Sequence, residues 1–190
     1  MSIMYVMVRF GALSVAFALA ACSFSRAAPL HGTVFEPARA APPFSLIDQN
    51  GAPFASSQLA GSAVALFFGF THCSDVCPET LRRLRHASQL AAAPKPVRIV
   101  MITVDRKRDT PAALRAFFAR SGVSATGLTG TASSLRNAYR TYGIAIVPQR
   151  GDLGHTDTVF LIDPHGKLRE AIDPATPVSQ LASDLRGVAK

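Results

Sequence analysis

The sequence is short of charge, short of cysteine and free of any long basic run. Charged residues make up only 17% of its 190 residues, against 48% hydrophobic. That balance excludes an intrinsically disordered chain and fits one ordinary domain with a real core. The formal net charge is nonetheless +8, with a pI of about 10.1. The basic residues are scattered along the chain, and the cluster Arg82, Arg83 and Arg85 fits an exposed helix face. No aromatic–basic alternation accompanies the charge, so nucleic acid is not an expected partner. The charge points to solubility and to attraction for a membrane surface or an acidic partner. No internal repeat and no second domain are visible.

The N-terminus also lacks something: its apolar run, Phe10 to Ala18, is too short to span a bilayer comfortably. A short leading region with Arg9, that apolar run and then small residues make a signal peptide over residues 1–21. There is no twin arginine, which favours the general secretory route. The stretch Leu19-Ala20-Ala21-Cys22 resembles a lipobox, whose cysteine is acylated and becomes the first residue. The alternative is ordinary cleavage after Ala18-Leu19-Ala20, leaving Cys22 a free thiol. Acylation of Cys22 accounts for the odd count of three cysteines, leaving Cys73 and Cys77 as an even pair. Residues 1–21 contain Arg9 and no acid, so the basic balance belongs to the mature chain. The expected location is the periplasmic side of a bacterial membrane, lipid-anchored.

Residues 22–41 lack clear periodicity and read as a tether, with the fold expected to occupy residues 42–190. Phe44–Ile47 and Pro53-Phe54 flank the turn signal Asp48-Gln49-Asn50-Gly51, an N-terminal β-hairpin. Ala63–Phe70 and Val97–Val104 are continuous apolar runs, expected as buried strands. A helix between them has Pro78 in its first turn, with Leu81, Leu84 and Ser88 on one face. Thr110-Pro111 opens a second helix, ended by Gly122. Thr131 opens a third, ended by Gly143. Val159–Ile162 and Leu168–Ile172 flank a turn at Asp163–Gly166, and Thr176-Pro177 starts a last helix. Alternating strands and helices imply parallel pairing, with the late hairpin as an antiparallel edge. The expected fold class is α/β: a thioredoxin-like fold with an N-terminal β-hairpin and an inserted helix.

The segment FFGFTHCSDVCPET carries the chemistry. Its thiols fall at the C-terminal end of the first long strand, where open α/β sheets bind ligands. They also precede a helix, whose N-terminal N–H groups and dipole favour thiolate. Two readings stay open on the residues alone: a redox dithiol, with Cys73 and Cys77 as the catalytic pair, or two metal ligands awaiting a third. Redox motifs of this fold usually place two residues between the cysteines. Here there are three, Ser74, Asp75 and Val76. An inert structural disulfide is the plain alternative, which export permits. Two thiolates and an imidazole suit copper, whereas structural zinc wants a fourth ligand.

From about Pro42 to Val188 the chain resembles the Sco/SenC family. The resemblance rests on APPFSLIDQNG, LFFGFTHCSDVCPE, ITVDRKRDTPAAL, GLTGTASSLRNAYRTYGI and GHTDTVFLIDPHGKL, five blocks in order. It implies a thioredoxin fold and copper, as Cu(I) or Cu(II), held by Cys73, Cys77 and His155. It also implies delivery of copper to the cytochrome c oxidase subunit carrying the binuclear copper centre, or prior reduction of that centre's cysteines. Other copper donors or thiol reductants are then expected as further partners. The chain departs from the family at Ser74, often proline, and at Gly154, where aspartate usually precedes the histidine. A ligating imidazole wants a partner to fix its tautomer, and Asp152 or Asp157 is the expected one.

The remaining candidates have plain readings. His31, His72, His86 and His165 are expected to be solvated, although His72 adjoins Cys73. Met101 falls in a buried strand pattern. Asp75 is a loop-capping carboxylate or part of the site. Asp105, Arg108 and Asp109 are expected to hold the loop beside the thiols by charge-assisted bonds.

Overall fold

The computed structural model describes residues 29–149 and 152–190, without the side chains of Pro148, Gln149 and Asp152. The expected signal peptide, Cys22 and the start of the tether lie outside the described residues.

The two apolar runs form the centre of the sheet. Ala63–Gly69 is β4 and Val97–Thr103 is β5, paired in parallel from Ala63↔Val97 to Gly69↔Thr103. Every residue of β4 is buried, as a strand covered on both faces requires. Before them come β1 (Thr33–Ala40), β2 (Ser45–Asp48) and β3 (Pro53–Ala55); after them come β6 (Thr126–Thr129), β7 (Ile146–Gln149), β8 (Asp152–His155), β9 (Val159–Ile162) and β10 (Lys167–Ile172). Eight strands run in the order β1-β10-β9-β4-β5-β6-β2-β3, and β7 and β8 form a separate hairpin.

The helices are α1 (Val76–Ala91), α2 (Pro111–Ser121), α3 (Ala132–Tyr142) and α4 (Val178–Val188). Their ends follow the expected chemistry. Thr110 and Thr131 cap α2 and α3 by accepting from Ala113 N and Ser134 N, and Gly122 and Gly143 end them with positive φ. The buried face of α1 continues from Leu84 to Ala87 and Ala91, with Ser88 only half-buried at its margin.

Adjacent strand residues point to opposite faces, so Phe67 and Phe68 serve two layers. Phe68 meets Tyr139 and Tyr142 of α3 and Phe160 of β9, with ring centroids 6.1, 5.7 and 6.3 Å apart. On the other face α1 and α4 pack together over the central strands. The result is a thioredoxin-like α/β fold with the N-terminal hairpin and the additional helix.

Three expectations change. The fold begins before Pro42: Thr33–Ala40 pairs antiparallel with β10, turning the later part of the supposed tether into the sheet's edge strand. Every residue of this edge strand is exposed or half-buried, so its sequence needs no alternating apolar face and reads as linker. The late hairpin is therefore not the edge. Its strand β9 pairs with central β4, and β1 covers β10. His31 is not merely solvated. Its Nδ1 lies 2.7 Å from Oδ1 of Asp184, a residue 1% exposed. Beside it Gly32 N donates to Oε1 of Glu170, also buried, while Asp184 Oδ2 and Glu170 Oε2 have no hydrogen-bond partner among the described residues.

Candidate metal and dithiol site

The thiols are delivered by the end of β4. The chain leaves the sheet at Phe70, turns with Cys73 N donating to Phe70 O at 3.3 Å, and enters α1 at Val76. Cys73 is half-buried at the mouth of this turn and Cys77 is buried one helical turn inside. The Asp75 side chain makes no capping bond; instead Cys77 N donates to Cys73 Sγ at 3.3 Å. The sulfur thus occupies the place of a helix-capping oxygen. Gly69 makes room for the Cys77 sulfur, since a Cβ there would stand 2.8 Å from Cys77 Sγ.

This placement divides the two thiols. Cys73 is pushed down to about 6, chiefly because the Cys77 thiol donates to it; burial opposes, and the N–H groups of Cys77, Asp75 and Val76 add further donors. Cys77 is pushed far up by its role as donor to Cys73 and then by burial. Near neutral pH the pair is a thiolate at the surface backed by a thiol, with both cysteines free.

A buried carboxylate fixes the loop that bears them. Asp109 is fully buried. It accepts from Thr71 Oγ1 at 2.6 Å, Thr103 Oγ1 at 2.5 Å and Thr71 N at 3.1 Å. Thr71 lies two residues before Cys73, so the link from β5 to the thiol turn is direct. Asp105 takes Arg108 Nε, and the Arg108 guanidinium lies 5.9 Å from the centre of the Phe70 ring. The expected supporting role of this acidic block is thereby given its partners, Thr71 and Thr103, which sequence reading did not single out.

His155 arrives from the other side of the turn, at the end of β8 and opposite Ile146 of β7. Sequence reading missed this hairpin because Pro148 and Gly154 interrupt the strand pattern. Its base is closed by Thr156 N to Ala145 O at 3.0 Å and Ala145 N to Thr156 Oγ1 at 3.1 Å. The His155 ring meets Phe70 edge-on, with centroids 6.0 Å apart. Its Nδ1 lies 2.9 Å from Thr156 O. A carbonyl only accepts, so Nδ1 carries the hydrogen and Nε2 of the neutral ring keeps its lone pair free. The tautomer-fixing partner is thus the adjacent backbone carbonyl rather than Asp157; the Asp152 side chain lies outside the described residues. Asp157 stays close to both halves of the site. Burial raises its pKa, His155 lowers it, and its charge in turn raises Cys77.

Cys73 and Cys77 thus lie on the turn that leaves Phe70, and the His155 ring packs against the Phe70 side chain. Among the described residues, no three His, Cys, Asp or Glu side chains stand close enough to hold an ion together. The other candidates lie where their plain readings put them, His31 excepted. His72 is exposed, its Nδ1 3.0 Å from Thr71 Oγ1; His86 and His165 are exposed; Met101 is fully buried. Asp75 is exposed and accepts from Ser74 Oγ at 3.2 Å.

A parallel strand ending in a thiolate–thiol pair at a helix N-terminus defines a thioredoxin-like dithiol domain. The SCO1/SenC family model matches residues 33–190, and the chain belongs to that family. A Stutzerimonas stutzeri protein, named as a candidate copper-binding protein, is 38% identical over 138 residues, covering 69% of this chain and 68% of its own. The chain spans about two thirds of the length of the first curated relatives it matches. Among solved structures, Arabidopsis thaliana ScoI with copper bound superposes with a TM-score of 0.73 at 26% identity, covering 78% of this chain and 97% of that one. BsSco, described through a disulfide switch and as one of the Sco cytochrome c oxidase assembly proteins, gives 0.65 at 26% identity, covering 80% and 94%.

Proposed function

We propose that this protein is a copper metallochaperone for assembling the binuclear copper centre of cytochrome c oxidase, with Cys73, Cys77 and His155 as ligands to the cargo ion. The observation that carries the reading is the donor set. A thiolate, a second thiol and an imidazole with a bare Nε2 converge on one aromatic residue at the sheet's ligand-binding end. Soft sulfur donors with imidazole suit copper, in either common oxidation state. Capture of an ion by all three requires His155 to approach the sulfurs, and the Cys77 proton must leave. The copper-bound plant relative supports the same reading.

A thiol–disulfide reductase is the second reading, favoured by the lowered pKa of Cys73. In that reaction Cys73 Sγ attacks a client disulfide and expels one client sulfur as thiolate. Cys77 then loses its proton and displaces the other, leaving a Cys73–Cys77 disulfide and two reduced client sulfurs. The disulfide switch described for BsSco supports it. A bound copper ion occupies the nucleophile, so the two activities exclude one another on a single molecule.

The deciding experiment is a copper competition titration run beside a disulfide-reduction assay. His155→Ala should lower copper affinity by at least about tenfold and leave reduction within a few-fold of the parent, because the imidazole has no part in thiol attack. Cys77→Ala should abolish both. Wild-type copper affinity with lost reduction in His155→Ala would replace the chaperone with the reductase.

The same proposal places the protein on the periplasmic side of a bacterial membrane, cleaved after residue 21 and anchored through acylated Cys22. Membrane retention of Cys22→Ser after normal signal cleavage would sink the anchor.

A further inference from the structure

On the α3 side of the site the chain has a basic, grooved surface that the copper reading does not use. Two adjoining concavities share Arg136 and Tyr139. Arg140, Ile144 and Ile146 extend one of them; Arg106 and Lys107 extend the other. Arg106, Lys107, Arg136 and Arg140 are all exposed, and none forms an ion pair with a described acid. Arg140 donates only to Asn137 Oδ1, at 2.9 Å. The described carboxylates beside the groove are engaged elsewhere: Asp105 is taken by Arg108, and Asp109 by Thr71 and Thr103. The floor is apolar. Ile146 is the register partner of His155, so the groove abuts the strand paired with the ligand-bearing one.

The opposite flank has the reverse sign. Asp75, Glu79, Asp157 and Asp173 line a concavity on the α1 side. Glu79 is paired with Arg82 and Arg83, whereas Asp157 and Asp173 have no ion pair among the described residues. Exposed Val76 and Val147, 47% and 57% accessible, stand at the start of α1 between the two cysteines and on the hairpin of His155. A charge gradient therefore runs across the site.

We infer that the α3–hairpin groove docks an acidic polypeptide segment of the client, which orients the client's cysteines toward Cys73. The inference deepens the proposed delivery role and rests on it. Unpaired cations beside an apolar floor complement a strand of acids interleaved with apolar side chains. A concave surface favours a protruding segment over a flat bilayer. The acidic α1 flank repels the same segment, so one orientation is selected.

The test uses the full chain in detergent and a fluorescent synthetic peptide alternating glutamate with leucine and valine. The peptide should bind, more weakly as salt rises. Arg136→Glu with Arg140→Glu should weaken binding by about tenfold or more, since opposed charges become like charges. Lys95→Glu with Arg120→Glu makes the same change in net charge at the other end of the sheet and should leave binding within about twofold. Equal losses in both double variants, or none in the first, overturn the groove. So does a first double variant that keeps the peptide but releases vesicles of mixed phosphatidylcholine and phosphatidylglycerol, which would make the surface a membrane face. Copper titration of the same variants separates the two ideas, because the groove variants should bind copper like the parent.

Discussion

Buried acid behind the thiol loop and buried acid under the β1 seam are built in opposite ways. Asp109, behind the thiol loop, has both oxygens bonded, to two hydroxyls and a backbone N–H. Glu170 and Asp184, under the β1 seam, each leave one oxygen without a hydrogen bond among the described residues, and Asp184 leans on the partly exposed His31. A satisfied buried carboxylate fixes its surroundings, whereas a half-satisfied one stays sensitive to protonation. The difference separates a site whose loop must hold two sulfurs in register from a seam where the chain arrives from the N-terminal side.

The strongest way to break the contrast is Asp109→Ala. It strands two hydroxyls and one N–H in a buried pocket, so about 3 kcal/mol of stability should be lost, read as a lower urea midpoint. Asp109→Asn keeps an acceptor and should cost less. Equal and negligible costs would mean that the cluster does not organise the loop.

The second test reads the sulfur that this loop positions. Alkylation of Cys73 by iodoacetamide should rise with pH through about 6 and then level off, since the thiolate is the reactive form. In Cys77→Ala the main donor is gone, and the rise should move up toward the ordinary thiol range. An unmoved profile would assign the lowered pKa to the helix N–H groups alone.

The β1 seam should give smaller effects. His31→Ala removes one part-exposed bond to Asp184 and should cost about 1 kcal/mol in urea denaturation. Burial raises the pKa of both Glu170 and Asp184, so the folded chain holds protons that the unfolded chain releases. Their contribution is therefore most favourable below the ordinary carboxylate range and is lost as pH climbs from that range through the raised folded values. Glu170→Gln with Asp184→Asn should flatten that decline relative to the parent. A slope unchanged in the double variant would assign the pH dependence elsewhere.

Much of this was legible along the chain. Continuous apolar runs marked β4 and β5, Thr and Gly marked the ends of α2 and α3, and the cysteine spacing marked a thiol pair at a strand–helix junction. These features are local: turn, cap and burial signals act within a few residues. What the tertiary structure decided depends on contacts between distant segments. Pairing with β10 turned the supposed tether at residues 33–40 into a strand, and Asp184 of α4 gave His31 a carboxylate partner. Asp109 found Thr71 across 38 positions of sequence, which no local pattern encodes. The hairpin that brings His155 to Phe70 was obscured by the proline and glycine in its strands, and its pairing emerges only in three dimensions. The asymmetry between the sulfurs has the same origin. Cysteine identity fixes two thiols, but their depths and the direction of the hydrogen bond between them make Cys73 the thiolate and Cys77 the donor.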